Sequence, residues 1–72
     1  MQARVNSEEL YKAVMAKGMN IKEAGKLAGM FAQNFGRFMK YDRNVRIETA
    51  AKLREAFGEK VVYMVRESNE MP

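Results

Sequence analysis

Apolar residues recur three and four positions apart along most of this chain, then crowd into a short continuous run near its end. The first kind of spacing predicts amphipathic helices. Leu10 and Val14, joined by Tyr11 and Met15, make one stripe; Ala24, Leu27 and Ala28 make a second. Phe31, Phe35, Phe38 and Met39 make a third, and Ile47, Ala50, Ala51, Leu53, Ala56 and Phe57 a fourth, over a helix from about Arg46 to Phe57. Gly18, Gly29 and Gly58 punctuate the stripes, and the polar run "YDRN" (41–44) is a further break. Caps agree with these limits. Asn6 or Ser7 stands before the first stripe, with Glu8 and Glu9 in the first turn, where they complement the helix dipole. Asn20 precedes the second, and Glu23, three residues on, completes a capping-box pattern.

After Gly58 the pattern changes. "KVVYMVR" (60–66) is β-branched and aromatic and predicts a strand. Its backbone groups need a partner, either "ARV" (3–5) of the same chain or the same strand of a second copy in a homodimer. The expected fold is mainly α: a small helix-turn-helix domain of four to five short helices with a C-terminal β-strand. That domain spans residues 1–66, with a flexible polar tail over 67–72.

Seventy-two residues leave room for a small core only. The chain has neither cysteine nor histidine, which removes disulfides, thiolate chemistry, Cys/His zinc sites and the commonest acid–base catalyst. Ser7, Thr49 and Ser68 are the only aliphatic hydroxyls, and none stands at an obvious spacing from a base. An enzyme, a metal site and a cofactor are therefore not expected. No apolar run reaches the length of a membrane span and no signal peptide is visible. A soluble protein of a reducing cytoplasm is expected.

Charge sharpens the picture. The formal net charge is +4, and Lys26, Arg37, Lys40, Arg43 and Arg46 against the single Asp42 supply all of it between residues 24 and 46. A basic middle between balanced ends suits an anionic partner, with nucleic acid first in line.

The second and third stripes, "NIKEAGKLA" and "FAQNFGRFMK", are joined by Gly29-Met30, the spacing of a helix-turn-helix over about 20–40. Gly25 is small where two such helices cross, and Phe35 is large where the second packs back. From about Leu10 to Gly58 the chain resembles the Cro/repressor class of phage helix-turn-helix regulators. The cap Asn20, Gly25, Gly29, Phe35, Arg37 and "VRIETAAKLREAFG" (45–58) carry that resemblance. Within the class it is similar to the antirepressors, or modulators of repression, of temperate lactococcal phages, which act on the phage's own repressor. The resemblance implies a host bacterial cytoplasm. It also implies that Ala32, Gln33 and Arg37 face base edges, that Asn34 lies close to base or phosphate, and that Lys40, Arg43, Asn44 and Arg46 sit near the backbone. The chemistry suits those places: Gln pairs with adenine, Arg with guanine, Ala touches a thymine methyl, and basic side chains neutralise phosphates. At about 100° per residue, Gln33, Gly36, Arg37 and Lys40 fall opposite the aromatic stripe.

The chain also departs from the class. A glutamine commonly follows the second helix's cap and a Ser or Thr commonly opens the third helix, both reaching phosphate; here these positions are Ile21 and Phe31. Either the two apolar residues pack together, or with Lys22, Gln33 and Arg37 they form a surface that meets protein. Many relatives bury an Arg of the first helix against a Glu near the end of the third; the aligned positions here are Val14 and Met39. An apolar pair in place of a buried ion pair is often neutral or stabilising.

Two functions are therefore expected within a phage-type transcription switch. In the favoured one the chain is an antirepressor whose apolar and basic face docks on the N-terminal DNA-binding domain of the cognate repressor. DNA contact is retained either alone or in the joint complex, and the seven methionines suit an adaptable surface. In the other it is a Cro-like homodimeric repressor of a palindromic operator, reading DNA through residues 32–40. A helix-turn-helix antitoxin is a third reading, for which no toxin-binding tail is identifiable. Phe31 divides the first two: turned outward, it marks a helix that recognises protein.

Overall fold

Local capping sets the helix limits in the computed structural model, which describes residues 2–65. The expected tail over 67–72, and the last residue of the expected strand over 60–66, lie outside the described residues. The chain runs β1 (Gln2–Val5), α1 (Ser7–Lys17), α2 (Ile21–Leu27), α3 (Ala32–Lys40), β2 (Arg43–Val45) and α4 (Ile47–Phe57). A 3-10 turn (Glu59–Val61) then leads into β3 (Val62–Val65). Asn6 rather than Ser7 caps α1, its side chain accepting from the Glu9 N–H at 3.2 Å. Asn20 and Glu23 form the reciprocal capping box of α2. Gly18 closes α1 with φ 68°, a left-handed conformation in which its N–H and that of Met19 reach back to Met15 and Val14.

The fold is a small mainly helical domain with a short antiparallel sheet of order β2-β1-β3. "ARV" does supply the strand's partner within the chain: β1 and β3 pair with Val5 opposite Val62 and Ala3 opposite Met64. The strand itself is shorter than its sequence run, because Lys60 and Val61 belong to the 3-10 turn. The second strand is new. Part of "YDRN" is not a break but β2, paired with β1 through Ala3–Val45, Arg4–Asn44 and Val5–Arg43. Three residues, two of them polar, are too few to show alternation.

Val5, Leu10, Val14, Ala24, Ala28, Phe35, Leu53, Phe57 and Val61 close the core, with Phe38 and Met39 half-buried against it. Every helix thus contributes, but each buries a narrower stripe than its composition suggests. Leu10 and Val14 point in, while Tyr11 and Met15, each one residue further round α1, are exposed. Leu27 is likewise exposed between buried Ala24 and Ala28. On α4, Ala50, Leu53 and Phe57 point in, whereas Ile47 and Ala51, four apart on the opposite side, point out. Val14 is fully buried and Met39 packs against the same cluster, so apolar packing occupies both positions.

Asp42 ties the sheet to α1. Its carboxylate accepts from the Ser7 N–H and hydroxyl, both at 2.9 Å, and from the Tyr63 hydroxyl at 2.8 Å. Ser7 begins α1, where backbone N–H groups lack helical partners and negative charge is favoured. These bonds, the Ser7 N–H foremost, then the Tyr63 and Ser7 hydroxyls and the charge of Arg4, hold the Asp42 carboxyl below its usual 3.8. The same carboxylate raises the Tyr63 hydroxyl above 10.0. A depressed carboxyl stabilises the fold above its unfolded value and loses that contribution as pH falls through the lowered one. A raised phenol stabilises below its unfolded value and loses the contribution as pH rises through the raised one. Asp42→Asn should therefore flatten the melting temperature against pH both below 3.8 and above 10.0, relative to the parent chain. Parallel curves from circular dichroism melts would show that the cluster carries no stability.

Candidate interaction surface

The turn between α2 and α3 is fixed by backbone bonds. Gly29, at φ 74°, donates to the Lys26 carbonyl, and Met30 donates to Gly25 at 2.9 Å, the double bond pattern of a left-handed helix stop. Gly25 is required by closeness. A Cβ there would lie 3.1 Å from the Met30 carbonyl oxygen and 3.4 Å from both the Ala32 Cα and the Phe35 Cβ. The crossing of α2 and α3 is thus set by a missing side chain on one helix and a buried ring on the other.

Phe31 is the cap residue of α3, with φ −72° and ψ 149° and no side-chain cap bond. It is 80% exposed. The expected aromatic stripe from Phe31 through Met39 is therefore corrected at its first member. The 100° rule applies inside a helix, and Phe31 stands outside with extended backbone, so its ring leaves the face that Phe35 occupies. Phe35 is fully buried.

Ile21, the first residue of α2, is 44% exposed and lies along α3, its Cδ1 3.9 Å from where a Gly36 Cβ would sit. Nothing else approaches Gly36, so the fold has space for a side chain there. Gln33, Arg37 and Lys40 are exposed at helical spacing on the outward side of α3. Asn34 is exposed beside them and Ala32 half-buried. Arg43 and Asn44 are exposed on β2 and Arg46 is the exposed cap of α4. These three belong to the sheet and the next helix rather than to the two-helix unit.

The structure brings Lys22, Phe31, Ala32 and Asn34 together around one open cleft of about 740 Å³, with Lys26, Gly29 and Met30 completing it. Lys26 and Met30 are absent from the residues the resemblance singles out. The four-residue spacing of Lys22 and Lys26, which puts both on one side of α2, is the signal that would have found the cleft. No helix among the described residues is long and apolar enough to cross a membrane. No group of three or more His, Cys, Asp or Glu side chains among them is placed to hold a metal ion. Comparison of the chain with protein families, curated proteins and solved structures finds no match.

Proposed function

We propose that this chain is a regulator of a phage-type transcription switch that works as an antirepressor, capturing the N-terminal DNA-binding domain of the cognate repressor and covering its DNA-reading surface. The observation that carries the proposal is Phe31, a bulky ring almost wholly in solvent at the mouth of a helix-turn-helix. An exposed aromatic at that place gives nothing to a phosphate but much to a protein, because aromatic anchors dominate the energy of protein interfaces. Ile21 adds apolar area, and Gln33 and Arg37 supply a polar rim.

A second reading is supported by the exposed row Gln33, Arg37 and Lys40, with Arg43 and Arg46 as further cations. On that reading a homodimer sets two α3 helices about 34 Å apart on a palindrome. Size-exclusion chromatography with light scattering separates the two. The chain would be run alone, with the switch's control-region DNA, and with the repressor's N-terminal domain. Capture predicts a shift to a joint complex with the repressor domain and no stable complex with DNA alone at physiological salt. Nanomolar, salt-sensitive binding to a palindrome with no repressor present would overturn the proposal.

A further inference from the structure

The cleft between α2 and the start of α3 combines an apolar floor with a cationic rim. Gly29, Met30 and Ala32 line it and Phe31 forms one side. Lys22 and Lys26 stand on the α2 edge, one turn apart. A third lysine, Lys52 of α4, does not line the cleft but approaches it at Gly29, its Nζ 3.3 Å from where a Gly29 side chain would begin. Among the described residues, no acidic side chain lines the cleft and no ion pair engages these three lysines. Glu23, the acid of α2, has its Oε1 on the Asn20 N–H and caps the helix start instead. Among the described residues, positive charge around an apolar recess is left without a counter-ion.

That combination selects its occupant. An apolar floor offers nothing to a phosphodiester backbone, and the lysines disfavour the basic residues with which a repressor reads DNA. We infer that the cleft is the anchor pocket for one bulky apolar side chain on a partner helix, flanked by carboxylates about one turn to either side of it. The inference rests on the capture reading and deepens it. The element seized is an acidic, apolar helix edge beside the repressor's reading surface, and the reading residues are covered as neighbours rather than gripped.

The test uses the full chain, nitrogen-15 labelled, and a synthetic amphipathic peptide carrying one Leu with a Glu one turn before and one turn after it. Amide shifts should concentrate at Lys22, Lys26 and residues 29–34. Charge reversal by Lys22→Glu with Lys26→Glu should weaken peptide binding roughly tenfold or more. The two changes act oppositely on the dipole of α2, one near its start and one in its last turn, so the fold and melting temperature should hold. Replacing the peptide's Glu by Gln, or its Leu by Ala, should weaken binding likewise. Unchanged binding by the reversed chain, shifts centred on Arg37 and Lys40, or a DNA duplex seated in the cleft instead would each overturn the inference. Running the repressor domain in parallel separates the two claims. Equal capture by parent and reversed chain sinks the anchor pocket and leaves capture standing. A peptide seated in the cleft with no repressor capture sinks the antirepressor reading and leaves the pocket standing.

Discussion

Phe35→Ala is expected to cost this domain about 3–5 kcal/mol, the usual loss for truncating a fully buried aromatic ring. Phe35 has no exposed surface, and its ring stacks against Phe57 with centroids 5.7 Å apart and planes tilted by 44°. It is also the residue on which the two-helix unit closes, since its Cβ lies 3.4 Å from where a Gly25 side chain would begin. A chain of this length has roughly 4–11 kcal/mol of total stability, at about 0.05–0.15 kcal/mol per residue. The substitution therefore removes much or all of it. Each kcal/mol shifts the midpoint of so small a domain by about 4–8 °C, so a fall of at least ~12 °C, or loss of a cooperative transition, is the expected result. Circular dichroism melts measure it, with Phe38→Ala as comparison, because half-buried Phe38 should lose distinctly less. A fall of only a few degrees for Phe35→Ala would mean that the α2–α3 crossing is held elsewhere.

The ring's place is legible because the signals that mark it are local. The capping box at Asn20, the turn at Gly29 and the spacing of Phe35, Phe38 and Met39 lie within one stretch of chain, and each follows from backbone geometry that sequence records directly. Of the features made by distant pairing, only the mate of β3 is offered by the sequence, as one of two alternatives; the others are not legible. Asp42 meets Ser7 across 35 positions and Tyr63 across 21, and no periodicity connects such residues. β2 exists only because β1 lies beside it. The buried stripes of α1 and α4 are narrower than their apolar pattern for a related reason. Tyr11, Met15 and Ile47 are apolar enough to suggest burial, but a small domain has no second layer to cover them.

The candidate surface divides in the same way. Gln33, Gly36, Arg37 and Lys40 were legible as a face opposite the core, since they obey the helix period. The cleft was not, because it depends on where the chain turns before α3 begins. Gly29, Met30 and Phe31 bring α2's lysines and α3's first turn around one recess, and the direction of a cap side chain is set by its own φ and ψ rather than by the helix that follows. The sequence shows the amount of positive charge but not its arrangement. In the sequence Lys26 is one of several bases near the middle of the chain, and only the fold places it in one cleft with Phe31.

Phe31→Ser is expected to raise stability and weaken capture together, a pairing of signs that no core residue would give. α3 starts without a side-chain cap, and Phe31 already has the extended backbone that a capping residue needs. A serine there can accept from the N–H of Gln33 or Asn34, and a good cap is worth about 0.5–2 kcal/mol over a residue that cannot cap. Little packing is lost from a ring that is 80% exposed, so the midpoint should rise by roughly 4–8 °C per kcal/mol gained. Capture of the repressor domain should meanwhile fall roughly tenfold or more, as for an aromatic anchor removed from an interface. The DNA reading predicts another pattern, because serine adds a hydroxyl at the start of α3 that can reach a phosphate. Affinity for operator DNA would then increase while the melting temperature rose just as much. Calorimetry on the parent and the variant, with repressor domain and operator duplex titrated separately, distinguishes these results. A lowered midpoint would place the ring in the core after all. A raised midpoint with capture unchanged would remove Phe31 from the interface, and with it the observation on which the antirepressor reading stands.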